Sequence, residues 1–180
     1  VQRYAQLLGL GSVSGINLTG ETAGKLPGSV PPAQVGHVSS HATGVTASAV
    51  QVAALLSATI NGRVLYRPQL GPAEGFVAQE RWRLPPGTVI DGLADGFLSA
   101  VNEGSAVRAF DPEVVVAGKT GSCSRVGWFA SYAPGQRPRL VVVVFLRGSN
   151  GHQASAVAGR IYQELYPTGV PPGQVAAGGS

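Results

Sequence analysis

Lysine is nearly missing from this 180-residue chain: Lys25 and Lys119 are the two that occur, and arginine supplies the rest of the 13 basic residues. The arginines are scattered, with no run of five and no stripe interleaved with aromatics, which argues against a nucleic-acid partner. The formal net charge of +4 is compatible with an anionic surface or polymer nearby without requiring one. Charged residues make up 12% of the chain, against about a quarter in ordinary domains. A single cysteine, Cys123, excludes an internal disulfide and a Cys-rich metal site. The longest wholly apolar run, Leu140 to Leu146, falls far short of the ~20 residues of a spanning helix. Methionine is absent even from the first position, where Val1 stands. The expectation is that processing removed an N-terminal part or that the chain is one section of a longer one.

What is present points to a folded body. Apolar residues reach 44%, enough for a core, and the length fits one domain or a large piece of one. The 26 glycines and 13 prolines show no short period, so they read as tight turns and not as a fibrous repeat. Residues 1–8 read as a helix end closed by Gly9 and Gly11, and 12–41 as a turn-rich, ordered excursion over the surface. A helix is predicted over 46–60, capped by Thr46 or Ser48, with Val50, Ala53, Ala54, Ser57 and Ile60 near one face. Asn61-Gly62 should end it and Val64–Tyr66 form a short strand. Residues 71–87 carry too many glycines and prolines to assign; a helix follows at about 88–103 and stops at Gly104. Three strands are predicted next: 114–118 leading into Lys119, then 125–133, then 139–146, the last buried on both faces. Their short connections predict an antiparallel meander. A helix over 153–165 should turn Ala156, Val157, Ile161 and Leu165 inward, and 167–180 is a loose Gly/Pro/Ala tail.

The chemistry concentrates at Lys119-Thr120-Gly121-Ser122. By residue type alone, a lysine at the rim of a buried strand can be a snorkelling surface residue. Its neighbours favour a site. Thr120 adds a hydroxyl, and Gly121 leaves room for close approach to the backbone. A cation, a hydroxyl and backbone N–H groups on one edge make a receptor for a carboxylate or an oxyanion. The Gly-x-x-x-x-Gly-Lys-Ser/Thr spacing of a phosphate loop is missing. His37, His41 and His152 sit in no supporting motif for a Cys123-based hydrolase, and His37-x-x-x-His41 is a weak metal signal. Asp91, Asp95 and Asp111 show no pairing.

Lys119-Thr120-Gly121 resembles the Lys-Thr-Gly motif of penicillin-binding proteins and serine β-lactamases. Gly127-Trp128-Phe129-Ala130-Ser131-Tyr132-Ala133-Pro134 is similar to the next strand of class B transpeptidases, and the strand at 141–145 and the last helix follow at the family spacing. Upstream, Leu8–Gly11, Gly15–Glu21 and Gly24–Leu26 resemble the family's Gly-rich stretch ending in Pro-Gly-Glu, with Thr19 where proline is common. Gly44-Val45-Thr46 with Gln51 and Asn61-Gly62 resembles its next helix. The likeness covers about residues 4–166, so residues 1–166 are expected to be the C-terminal portion of the transpeptidase domain of a class B-like penicillin-binding protein.

That resemblance implies an α+β fold of the serine β-lactamase-like superfamily, an antiparallel sheet with helices on both sides. It implies that Lys119 and Thr120 bind the carboxylate of a donor peptide or β-lactam, that Gly121 permits close approach, and that the Ser122 N–H is half of an oxyanion hole. Cys123 is placed with Lys119, Thr120 and Ser122 in the substrate-binding wall; Trp128 and Tyr132 support the sheet. It implies no metal or cofactor. The implied partners are peptidoglycan stem peptides, β-lactams, cell-wall synthesis proteins and the missing N-terminal half of the domain. The implied location is the extracytoplasmic face of the cell membrane.

The departures are specific. The family's nucleophile and base lie in Ser-x-x-Lys, yet the residues three before Lys119 and Lys25 are Val116 and Thr22. Its Ser-x-Asn element is missing too: two before Asn17, Asn61, Asn102 and Asn150 stand Gly15, Thr59, Ala100 and Gly148. Both elements precede this region in the family, so truncation is the expected cause and this chain alone should be inactive. A D,D-transpeptidase is the leading expectation. The alternatives are a penicillin-binding sensor or non-catalytic cell-wall scaffold, and a D,D-carboxypeptidase or β-lactamase.

Overall fold

The computed structural model describes residues 2–71, 75, 77–86, 92–136 and 140–167. The expected loose tail beyond Pro167, the start of the helix expected from 88, Asp91 and Arg139 lie outside the described residues. The chain divides into two compact units, residues 1–89 and 90–180.

The first unit contains α1 (Gln2–Leu7), a 3-10 turn (Pro32–Gln34), α2 (Val35–His41), α3 (Ala49–Ile60), β1 (Val64–Tyr66) and β2 (Glu80–Arg83). Of the two possible caps for α3, Ser48 is the one used. Its Oγ accepts the Gln51 N–H at 3.2 Å while Gln51 Oε1 accepts the Ser48 N–H at 2.8 Å, a reciprocal capping box. Thr46 instead bridges Lys25 through paired backbone hydrogen bonds. The fully buried residues of α3 are Gln51, Leu56 and Ala58, not the face picked by apolar spacing. Gln51 explains the difference: its buried Nε2 donates to the Ser12 and Ala23 carbonyls at 2.8 Å each, so a polar side chain anchors the glycine-rich loop. That loop is ordered, as expected. Glu21 accepts the backbone N–H groups of Ser14 and Gly15, and the Asn17 amide pairs with both backbone groups of Leu70. Burial alone would raise the Glu21 pKa, but the hydrogen bonds from Ser14 and Gly15 outweigh it and hold the carboxyl below its usual range. Two elements had no clear signal: α2, in a stretch read as turns, and β2, which pairs antiparallel with β1.

The second unit holds α4 (Leu93–Asn102), a 3-10 turn (Val107–Ala109), β3 (Ala117–Cys123), β4 (Val126–Tyr132), β5 (Val141–Arg147) and α5 (Gly151–Leu165). The strands form an antiparallel meander in the order β3-β4-β5, as predicted. β3 starts three residues later than the strand expected at 114–118, and Lys119-Thr120-Gly121-Ser122 lies within it, not after it. Val114 and Val116 are buried before the strand begins. The Asp111 carboxylate shapes that approach by accepting the N–H groups of Glu113 and Val114.

The expectation that the third strand is buried on both faces fails. Val144 faces the core and is buried; Phe145, on the other face, is 40% exposed and rests against Trp128 with ring centroids 4.6 Å apart. The inward face of α5 also differs from the expected one. Gly151, Ala154, Ser155, Ala158, Gly159 and Tyr162 are buried, while Leu165 is exposed. Close approach is the reason: a Cβ on Gly159 would sit 3.1 Å from the Ala109 Cα. Small residues let the helix backbone come near, and Val157 and Ile161 are left to pack at the edge of the core around Phe129, Val144 and Tyr162.

Candidate functional site

The site is a strand edge fixed by a two-residue hairpin. Ser124 (φ 41°) and Arg125 (φ 64°) are both left-handed and join β3 to β4, the backbone pattern of a type I′ turn. Residues flanking such a turn exchange both hydrogen bonds, and the pairs beyond alternate. Cys123 therefore bonds Val126, and Gly121 and Lys119 bond inward to Trp128 and Ala130. The N–H and C=O groups of Thr120 and Ser122 point to the outer edge of β3, the edge not paired in the β3-β4-β5 sheet. The Thr120 carbonyl on that edge accepts a hydrogen bond from Lys119 Nζ at 3.0 Å.

Side chains alternate independently of that edge. Thr120 and Ser122 share one face of β3; Lys119, Gly121 and Cys123 share the other. On the first face each hydroxyl meets a different neighbour. Ser105 Oγ lies 2.6 Å from Thr120 Oγ1, and the Gly151 N–H donates to Ser122 Oγ at 2.8 Å. Gly151 opens α5, so its N–H has no partner within the helix and Ser122 satisfies it. On the other face Lys119 is exposed and its chain bends back to the edge. Cys123 is a free, exposed thiol beside the turn, 3.7 Å from Ser124 Oγ. The arrangement offers an exposed ammonium, two hydroxyls and outward N–H groups along one strand, a set of donors suited to an anion.

Three glycines make room for this geometry. A Cβ on Gly118 would lie 2.7 Å from the Ala130 carbonyl oxygen, on Gly127 2.2 Å from that of Asn150, and on Gly151 2.8 Å from Thr120 Cβ. Ser105 and Gly151 were not foreseen as site residues. Ser105 carried no sequence signal. Gly127 did carry one, since a glycine inside a strand often marks close backbone approach. Trp128 and Tyr132 do support the sheet: Trp128 lies across from Gly121 and against Phe145, and Tyr132 is buried. His37 and His41 sit together on α2 with rings 5.4 Å apart, and His152 is exposed on α5. Among the described residues no group of three His, Cys, Asp or Glu side chains could hold a metal ion, and no helix is long and apolar enough to cross a membrane.

The family profile described as the penicillin-binding protein transpeptidase domain matches residues 1–166. The chain belongs to that family. Stage V sporulation protein D of Bacillus subtilis (strain 168) is 29% identical over 196 aligned positions, which cover 92% of this chain and 30% of the relative. The transpeptidase domain of Burkholderia pseudomallei penicillin-binding protein 3 superposes with a TM-score of 0.76 at 21% identity, covering 96% of this chain and 58% of that one. Penicillin-binding protein 2B of Streptococcus pneumoniae (strain 5204) gives a TM-score of 0.68 at 21% identity, over 90% of this chain and 30% of that one. The α+β fold is thus that of penicillin-binding transpeptidase domains, and this chain spans less than two thirds of each relative's length.

Proposed function

We propose that this chain is the C-terminal portion of a peptidoglycan D,D-transpeptidase and forms one wall of its acyl-transfer site. The observation that carries the reading is the outer edge of β3, where Lys119 Nζ, the hydroxyls of Thr120 and Ser122 and the outward Ser122 N–H lie within one short stretch of strand. Lys119 and Thr120 receive the carboxylate of a donor stem peptide or a β-lactam. Gly121, with no side chain, lets the substrate backbone lie along the strand. Cys123 borders the same wall. The Ser122 N–H donates to the carbonyl oxygen as it becomes an oxyanion.

The nucleophile belongs to the remainder of the domain, since neither lysine here is preceded by serine at three residues. In the complete protein that serine adds to the carbonyl of the terminal D-Ala–D-Ala bond and gives its proton to a base. The tetrahedral oxyanion collapses, the C–N bond breaks, and the departing D-alanine amine takes a proton. An amine of a second stem then adds to the acyl-serine and releases the enzyme. A β-lactam follows the first half and leaves a stable acyl-enzyme. This chemistry needs no metal or cofactor. Its substrate lies outside the cytoplasmic membrane, where the complete protein works.

Fluorescent-penicillin labelling of the intact protein, with mass spectrometry of the labelled peptide, tests the reading. A label on a serine of Ser-x-x-Lys is expected, with acylation about 10- to 100-fold slower in Lys119→Ala, the loss of one charge-assisted contact of about 1.5–3 kcal/mol. Correctly folded intact protein that takes no label would refute the enzyme, and an unchanged rate in Lys119→Ala would refute the role of Lys119.

A further inference from the structure

Ser105 has no place in the function described so far, yet its hydroxyl makes the shortest contact of the site, 2.6 Å to Thr120 Oγ1. Its position is fixed from both sides. A Cβ on the preceding Gly104 would lie 2.9 Å from the Ala100 Cα, so the chain turns tightly off the end of α4. The following Ala106 is fully buried, and its N–H donates to the Ala100 carbonyl at 2.8 Å. Ser105 is thus an exposed side chain on a constrained backbone, aimed at one atom of β3.

A hydroxyl carries one proton and two acceptor positions. Ser122 Oγ accepts from a backbone N–H, that of Gly151, which can only donate. The Ser122 proton therefore points elsewhere. Thr120 can reach the same state only if Ser105 is the donor of their shared hydrogen bond. Were Thr120 the donor, it would have no proton left for an anion at the strand edge. A hydrogen bond to an ionised acceptor is about twice as strong as one between neutral groups, so an anion beside Lys119 selects the first arrangement.

We propose that Ser105 is a positioning residue of the acyl-transfer site: it donates to Thr120 Oγ1 and so turns the Thr120 proton toward the substrate carboxylate. Ser105 acts through Thr120 and does not itself touch substrate. The proposal rests on the transpeptidase reading above.

The test is the second-order rate of acylation by a fluorescent penicillin in the intact protein, for wild type, Ser105→Thr, Ser105→Val, Thr120→Val and the Ser105→Val/Thr120→Val double variant. Thermal unfolding of each confirms folding. Threonine keeps the hydroxyl and valine copies its shape, so this pair separates the proton from the packing. Ser105→Thr should stay within about twofold of wild type, and Ser105→Val should be about three- to tenfold slower, the worth of one hydrogen bond. The double variant should be no slower than Thr120→Val alone, because Ser105 has nothing left to orient. Equal rates for Ser105→Val and Ser105→Thr would overturn the proposal. So would losses that multiply in the double variant, since Ser105 would then act by another route. A folded wild type that takes no label would overturn the transpeptidase reading and this proposal with it; a labelled wild type with a silent Ser105 would overturn this proposal alone.

Discussion

Asp111 works at the scale of single residues by collecting donors from separate parts of the chain. Gln163 Nε2 of α5 reaches its Oδ2 at 2.8 Å, and Oδ1 accepts the N–H groups of Glu113 and Val114. The Gln163 bond is the largest influence; with the Glu113 and Val114 N–H groups it holds the carboxyl below its usual range, against the opposing effect of burial. The consequence has a definite sign. A carboxyl depressed in the folded state adds stability above its unfolded pKa, about 4, and that stability is lost as pH falls through the folded value. Asp111→Asn removes the titration. Denaturation midpoints from pH 7 to pH 2 should therefore fall less steeply for Asp111→Asn than for wild type, with the gap between them narrowing below pH ~4. Parallel curves would show that the Asp111 contacts do not couple to folding.

At the scale of elements, the glycines of α4 and α5 should respond in opposite directions. Gly151→Ala places a Cβ 2.8 Å from Thr120 Cβ and 3.1 Å from the Gly121 carbonyl oxygen. It should cost about 1–3 kcal/mol by overpacking and disturb the Thr120 side of β3. Gly96, inside α4, has open space around it, so Gly96→Ala should add about 0.5–1 kcal/mol through helix propensity alone. Chemical denaturation of both variants checks the pair; a neutral Gly151→Ala would contradict the close packing of α5 on β3. These contacts also mark where the sequence was legible. A cap at Thr46 or Ser48 and the Asn61-Gly62 stop of α3 could be read because the partners of such signals lie within a few residues, and the structure selects Ser48. The strands β4 and β5 and their turn could be read from apolar runs and Pro134-Gly135. The inward face of α5 could not, because glycine, alanine and serine carry little hydrophobic signal although they permit the closest approach. Ser105 and Gly151 were hidden because their site partners are 15 and 29 residues away.

At the scale of the whole molecule, the family resemblance was legible as ordered blocks along the chain, and the profile match over residues 1–166 bears it out. The sequence also shows that neither of its two lysines follows a serine at three residues, the count on which the proposed placement of the nucleophile outside this chain rests. The chain spans 58% of one solved transpeptidase domain, and the proposed function needs a serine that its lysine motifs do not provide. The 180-residue chain by itself should accordingly take no covalent penicillin label under conditions where the intact protein does, read by gel fluorescence. Covalent labelling of the chain alone would place the nucleophile among its own residues and overturn the division of labour proposed above.

The tight fit at Gly127 bears on how the second unit is assembled. Its neighbours along β4, Val126, Trp128 and Phe129, are all bulky, and there is no space for even a methyl group where Gly127 meets the Asn150 carbonyl. A one-residue slip of β4 would turn its buried face outward, whereas a two-residue slip would keep the same faces. Each displaced alignment, however, brings a large side chain to the place where the start of α5 must settle. The seat of α5 thus accepts one alignment of β4, the one with Gly127 beside Asn150, and that same alignment sets Thr120 and Ser122 along the unpaired edge of β3.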